Sequence, residues 1–132
     1  MNANEGSSMS AQANKETAEA AYRAFASGDA AGAMENMDDG VVWTARGDSA
    51  LSGTYRGKEE VAGLWAKLGE KGLKSEPHDF VADGDKVVVL TKVTLDGETE
   101  EAADVLTYDE GGKLIAFEQI GDPAIASRVF PR

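Results

Sequence analysis

An aspartate inside an apolar run is the residue of this chain best placed to do chemistry. Asp104 sits in Ala102-Ala103-Asp104-Val105-Leu106-Thr107-Tyr108, a stretch that reads as a β-strand. A carboxylate there must be solvated, paired or protonated, which makes it either a misread edge or the centre of a pocket. The next apolar run, Leu114 to Ile120, follows a tight Asp-Glu-Gly-Gly turn. Side chains in a strand alternate between faces, so Asp104, Leu106 and Tyr108 share one face of their strand. Ile115, Phe117 and Gln119 share a face of the other, and Glu118 points away. If both faces are concave, Asp104 and Gln119 meet in one cavity beside Leu106 and Phe117. One acid and one amide in an apolar pocket can polarise a carbonyl or move one proton, and they can equally orient a ligand.

Other residues are weighed against that pair. Val42 and Thr44 are expected to join the cavity from a first strand, with Trp43 on the opposite face. Trp65 completes the core stripe of a helix and can lay an edge on the cavity. His78 shares parity with Phe80 and can face inward as a general base, or stay solvated. Arg46 and Arg56 lie in a loop that would rim the cavity. Glu98, Glu100 and Glu101 read as a solvated strand end.

The elements that must position these residues follow from periodicity. Residues 1–13 carry no periodic pattern and are expected to be a disordered leader. A single domain, 14–132, follows. Asn14 can cap a first helix, in which Ala18, Tyr22, Phe25 and Ala26 form an apolar stripe. Gly28 stops it, and Asp29 caps a short second helix through Met37. Val41 to Thr44 is a strand, and Arg46 to Gly57 a loop. Val61, Leu64, Trp65 and Leu68 recur at helical spacing in a third helix, Lys58 to about Glu70. From Ser75 the period becomes two. Strands are expected at Glu76–Ala82, Lys86–Leu95, Ala102–Tyr108 and Leu114–Ile120, with Asp83-Gly84 and Asp96-Gly97 as hairpin turns. Gly121-Asp122-Pro123 closes the sheet, and the tail forms a short helical turn before Pro131. Helices segregated from a run of hairpins imply an α+β domain with helices on one face of an antiparallel sheet.

Composition bounds the function. The 132 residues are 42% hydrophobic and 28% charged, with 24 acidic against 13 basic residues and a net charge of -11. That balance disfavours nucleic acid and anionic membrane as partners. With no cysteine, thiol nucleophiles and thiolate metal sites are excluded, and one histidine cannot build a multi-histidine site. No cofactor is expected. No apolar run approaches the roughly 18 residues of a membrane span, and the N-terminus lacks the basic-then-apolar order of a signal peptide. A cytoplasmic location is the default expectation.

Several segments, taken in order, resemble the nuclear-transport-factor-two-like superfamily, and most closely its SnoaL-like and ketosteroid-isomerase-related members. They are Tyr22-Arg23-Ala24-Phe25-Ala26-Ser27-Gly28-Asp29, Asp38-Asp39-Gly40-Val41-Val42-Trp43 and Gly53-Thr54-Tyr55-Arg56-Gly57-Lys58-Glu59. Phe80 to Val89 and Gly112-Lys113-Leu114-Ile115 also match. The resemblance implies a cone-shaped α+β barrel, a curved, mainly antiparallel sheet wrapped around three helices. It also implies an apolar cavity, a small hydrophobic carbonyl compound as ligand, and a homodimer joined through the outer sheet face.

Carried over residue by residue, the catalytic sets of such relatives are incomplete. Asp104 falls where ketosteroid isomerases place a protonated aspartic acid. Thr44 stands at the position of their base, and Ala21 at that of their tyrosine donor, with Tyr22 turned about 100° around the helix. Against the Asp-Arg-Asp set of limonene-epoxide hydrolases, Asp104 matches one aspartate, while Ala102 and Gln119 replace the others. SnoaL-type cyclases depend on one cavity aspartate, a role open to Asp104. The expectation is therefore a binder of small hydrophobic molecules, with acid/base isomerase or cyclase-type activity centred on Asp104. Gln119, Phe117, Leu106, Thr44, Val42, Trp65 and Tyr22 would contact the ligand. The alternative is a non-catalytic ligand-binding or dimerisation module.

Overall fold

A computed structural model of the chain describes residues 3–121 and 124–132, with side chains from Ser10 onward. Met1, Asn2, Asp122 and Pro123, and with the last two most of the expected sheet-closing turn, lie outside the described residues. The elements run α1 (Ala3–Ala26), α2 (Ala30–Met34), β1 (Met37–Ala45), β2 (Gly53–Arg56), α3 (Gly57–Glu70), β3 (Lys74–Asp83), β4 (Lys86–Leu95), β5 (Glu98–Tyr108), β6 (Leu114–Ile120) and α4 (Ala124–Val129).

The strands form one open, six-stranded curved sheet in the order β2-β1-β6-β5-β4-β3. All neighbours are antiparallel except β1 and β6, which run parallel. Helix α1 packs against β3 and β4, and α3 against β1 and β2. The core lies between these helices and the concave sheet face. Ala18, Val41, Val61, Val87 and Val89 are its fully buried members. This is the expected cone-shaped α+β fold.

The hairpins follow local turn chemistry. Asp96 and Gly97 both take positive φ (52° and 81°), the backbone of a two-residue turn whose twist matches the strands it joins. Between β5 and β6, the Asp109 carboxylate accepts from the Lys113 N–H at 2.9 Å, and Gly112 supplies the left-handed residue at φ 84°.

Several boundaries differ from the sequence reading, among them Met37, expected on the second helix, which opens β1. Helix α1 reaches back to Ala3, so Asn14 is buried inside it and caps nothing. The segment from Ala11 to Ala20 is rich in alanine and free of Gly and Pro, which lets the helix run through the expected leader boundary. Part of the expected loop is the short edge strand β2, paired with β1 from Val42–Arg56 to Ala45–Gly53. At four residues it is too short to show a period. The tail forms the expected short helical segment before Pro131, α4.

Candidate functional site

Strand β5 positions the acid. Ala102, Asp104, Leu106 and Tyr108 are all buried while their neighbours are not, the signature of one inward-facing row. Asp104 is 3% exposed and stands directly between Val89 of β4 and Gln119 of β6. Gln119 Nε2 donates to its Oδ1 at 2.9 Å. Its Oδ2 accepts from the hydroxyl of Tyr22, which reaches down from α1. Tyr22 is steadied by an edge-to-face contact with Phe80, centroids 5.6 Å apart.

Burial pushes the Asp104 carboxyl above the ordinary carboxylate range, while its bonds from Tyr22 and Gln119 pull the other way. Tyr22 is held well above the usual tyrosine range, first by burial and then by the Asp104 charge. Its proton therefore stays on, and the pair is an acid poised against a permanent donor.

The walls are apolar. Trp43 stacks on Phe117 (centroids 3.5 Å, planes 14° apart) and meets Trp65 edge-on at 5.6 Å. Trp65 in turn meets Phe25 edge-on at 5.0 Å. These rings and Leu106 enclose a cavity of about 220 Å³ that reaches Asp104, Gln119 and Tyr22. An apolar cavity of about 150 Å³ holds a benzene molecule, so this one suits a ligand of one or two rings.

The structure brings Asp104, Gln119, Leu106, Phe117, Trp65 and Tyr22 together around that cavity. Val42 is not among its lining residues, which corrects the expected inner face of β1. Met37, Val41 and Trp43 share one parity and form the inward row, so the face opposite to Val42 and Thr44 is the inner one. Thr44 borders the cavity but pairs with Glu118, on the outward side of the Trp43–Phe117 row.

Two register shifts move residues out. Pro77 pairs with Thr91 and Asp79 with Leu90, leaving His78 as the extra residue of a bulge. It is exposed and bonds Glu101 at 2.8 Å, so of the two readings of His78 the solvated one holds. Near the start of β6 a shift between the Leu114 and Ala116 pairings turns Leu114 to the cavity in place of Ile115.

Arg46 does reach the rim, paired with Glu118 at 3.1 Å, whereas Arg56 lies away from it. Glu98 and Glu100, read as solvated, line the cavity as well. The resemblance puts Ala21 at the tyrosine-donor position and leaves that role empty; the hydroxyl that meets Asp104 belongs to Tyr22. A helical position fixes a direction, but a tyrosine spans several ångströms and covers the difference. Trp43 and Tyr108 were not foreseen as lining residues, although Tyr108 shares the strand parity of Asp104. Among the described residues no group of three or more His, Cys, Asp or Glu is placed to hold a metal ion. None of the described helices is long and apolar enough to cross a membrane.

This geometry can be set beside known proteins. The family profile described as a SnoaL-like domain matches residues 18–117, the span from α1 to the Phe117 wall. The chain belongs to the SnoaL-like domain family. The fold of this SnoaL-like domain recurs in solved structures. Bal32a, from a soil-derived mobile gene cassette, is similar at 22% identity over 93% of this chain and 99% of its own, with a TM-score of 0.78. An NTF2-like protein of unknown function from Burkholderia pseudomallei is 26% identical over 91% of this chain and 98% of its own, TM-score 0.74. TerC, co-crystallised with polyporic acid, is 27% identical over 89% of this chain and 97% of its own, TM-score 0.72. No protein of the curated set matches the sequence.

Proposed function

We propose that this SnoaL-like domain binds a small hydrophobic, carbonyl-containing molecule and performs acid/base chemistry of the isomerase or cyclase type through Asp104. One observation carries this reading. A buried carboxylate, held by Tyr22 and Gln119, stands in a cavity whose walls include Trp43, Trp65, Phe117 and Leu106. The aromatic walls suit a flat hydrophobic ligand, and the co-crystal of TerC with polyporic acid supports a ring-bearing carbonyl compound.

The step follows from the charges. Ionised Asp104 takes a proton from a carbon next to the ligand carbonyl. The electron pair of that C–H bond moves toward the carbonyl oxygen as an enolate. Asp104, now neutral, returns the proton at the same or a conjugated carbon. Burial makes the carboxylate a stronger base than a solvated one, and the two donors keep it oriented through both states.

A second reading, a binding module without turnover, is supported by a different observation. Both Asp104 oxygens are already engaged within the protein, and Thr44 and Ala102 supply no second acid or base. The test is proton exchange. The methyl group of 2-acetylnaphthalene should exchange hydrogen for deuterium faster in D2O with the protein present, and Asp104→Asn should abolish the gain. Binding without accelerated exchange would favour the module. An ordinary Asp104 pKa by NMR, with Asp104→Asn leaving binding unchanged, would end the pocket-acid reading.

We also propose a homodimer joined through the outer sheet face. Leu90, Ala103 and Ile120 lie in one outward row across β4, β5 and β6, with Leu90 37% and Ile120 44% exposed. Val81 on β3 is 52% exposed. Apolar residues that stay exposed side by side favour a covering partner.

A further inference from the structure

We propose that Tyr108 is a ligand-binding residue, its hydroxyl donating a hydrogen bond to an acceptor oxygen of the molecule in the cavity. The assignment rests on the reading of that cavity as the ligand site.

Tyr108 closes the inward row of β5, four residues beyond Asp104, and lines the same cavity. It is 3% exposed. Its backbone N–H is committed to the Asp85 carbonyl at 2.8 Å, and it stands opposite Leu114, so its place is well held. Its hydroxyl has no hydrogen-bond partner among the described residues.

The other inward hydroxyls are matched. Tyr22 gives its proton to Asp104, Tyr55 donates to the Leu51 carbonyl at 2.6 Å, and Thr91 meets Ser75 at 2.7 Å. Its oxygen is not among the sealed, unpartnered atoms, so it opens on the cavity and serves no bond within the fold. An uncommitted oxygen in the wall of a cavity is placed for an occupant.

The inventory of donors says what kind. The single Tyr22 proton is used on Asp104, and Gln119 spends one amide hydrogen on the same carboxylate. Among the described lining residues Tyr108 and Thr44 hold uncommitted hydroxyl protons, and Tyr108 is the one in the buried row of Asp104. Burial pushes its ionisation well above the usual tyrosine range, so it remains a donor at every ordinary pH. The ligand it fits is a hydrophobic molecule with a ketone, quinone or ether oxygen. A hydrocarbon of the same shape would leave the hydroxyl unused, and an ammonium group, which only donates, would gain nothing from its proton.

The experiment pairs two probes of equal size: 2-acetylnaphthalene, which carries an acceptor, and 2-ethylnaphthalene, which does not. Tyr108→Phe should weaken the ketone by about three- to tenfold, the effect of one neutral hydrogen bond. It should leave the hydrocarbon unchanged. With a carbonyl-13C ketone, the C=O stretch should fall on binding to the unaltered protein, and the fall should vanish in Tyr108→Phe. The urea midpoint of Tyr108→Phe should be unchanged or raised.

Equal ketone affinity in Tyr108→Phe would overturn the proposal. So would a band shift that survives Tyr108→Phe but is lost in Tyr22→Phe. A marked loss of stability would also overturn it, because the hydroxyl would then have a structural partner. These outcomes leave the cavity reading intact. If neither probe binds the unaltered protein, the cavity reading falls and the Tyr108 assignment falls with it.

Discussion

Tyr22 and Gln119 hold opposite oxygens of one carboxylate, and that arrangement sets how Asp104 responds to pH. Its folded pKa is raised relative to the unfolded value of about 3.9. The fold therefore prefers the protonated acid. The stability this preference contributes is fully present below about pH 3.9 and is lost as pH rises through the folded value. Asp104→Asn cannot ionise. Its stability relative to the unaltered protein should improve between about pH 3 and pH 7, as read from urea midpoints at both ends. Tyr22→Phe removes a donor from a buried charge and should cost about 1–3 kcal/mol at neutral pH, less where Asp104 is protonated. The same variant should move the Asp104 titration, followed by 13C NMR, further upward. Asp104 and Gln119 were legible as inward residues because each shares the parity of an apolar neighbour, Leu106 or Phe117, whereas their direct pairing depends on the shift at Ile115. Tyr22 was legible only as a nearby residue, because its partner is 82 positions away and the helix–sheet contact decides which side chain arrives.

At the level of elements, β-bulges separate what period two predicts from what the strands do. Each inserted residue exchanges the two faces for everything beyond it. One bulge leaves His78 outside beside Glu101, and another puts Leu114 in the place expected for Ile115. On β1 the alternation itself holds through Met37, Val41 and Trp43, and only the choice of inner face differs. The β4 strand and the β5 segment from Ala102 to Tyr108, which carry no shift along their shared length, follow the alternation read from sequence. The correction on β1 has a direct test in urea unfolding. Trp43→Ala should cost about 3 kcal/mol or more by opening the Phe117–Trp65 wall, and Val42→Ala less than about 1.5 kcal/mol. Near-equal losses would return Val42 to the interior. At the β4–β5 turn, Gly97→Ala places a Cβ at φ 81° and should cost about 1–2 kcal/mol, measured the same way.

For the whole molecule, the parallel β1–β6 pairing is what turns a run of hairpins into a cone. It brings Trp43, more than seventy residues earlier in the chain, to the side of Phe117. The proposed dimer is the prediction at this scale. Sedimentation should show a two-chain species at micromolar concentration, and Leu90→Glu combined with Ile120→Lys should shift it to one chain without loss of helix and strand signal. A monomer at every concentration would reject it. The sequence alone determined the order of the elements, the hairpin turns and the inward place of Asp104, because each depends on residues a few positions apart. Only the tertiary structure decided that Tyr22 is its donor and that Trp43 and Tyr108 wall the cavity. Those depend on contacts between distant segments, which local periodicity does not encode.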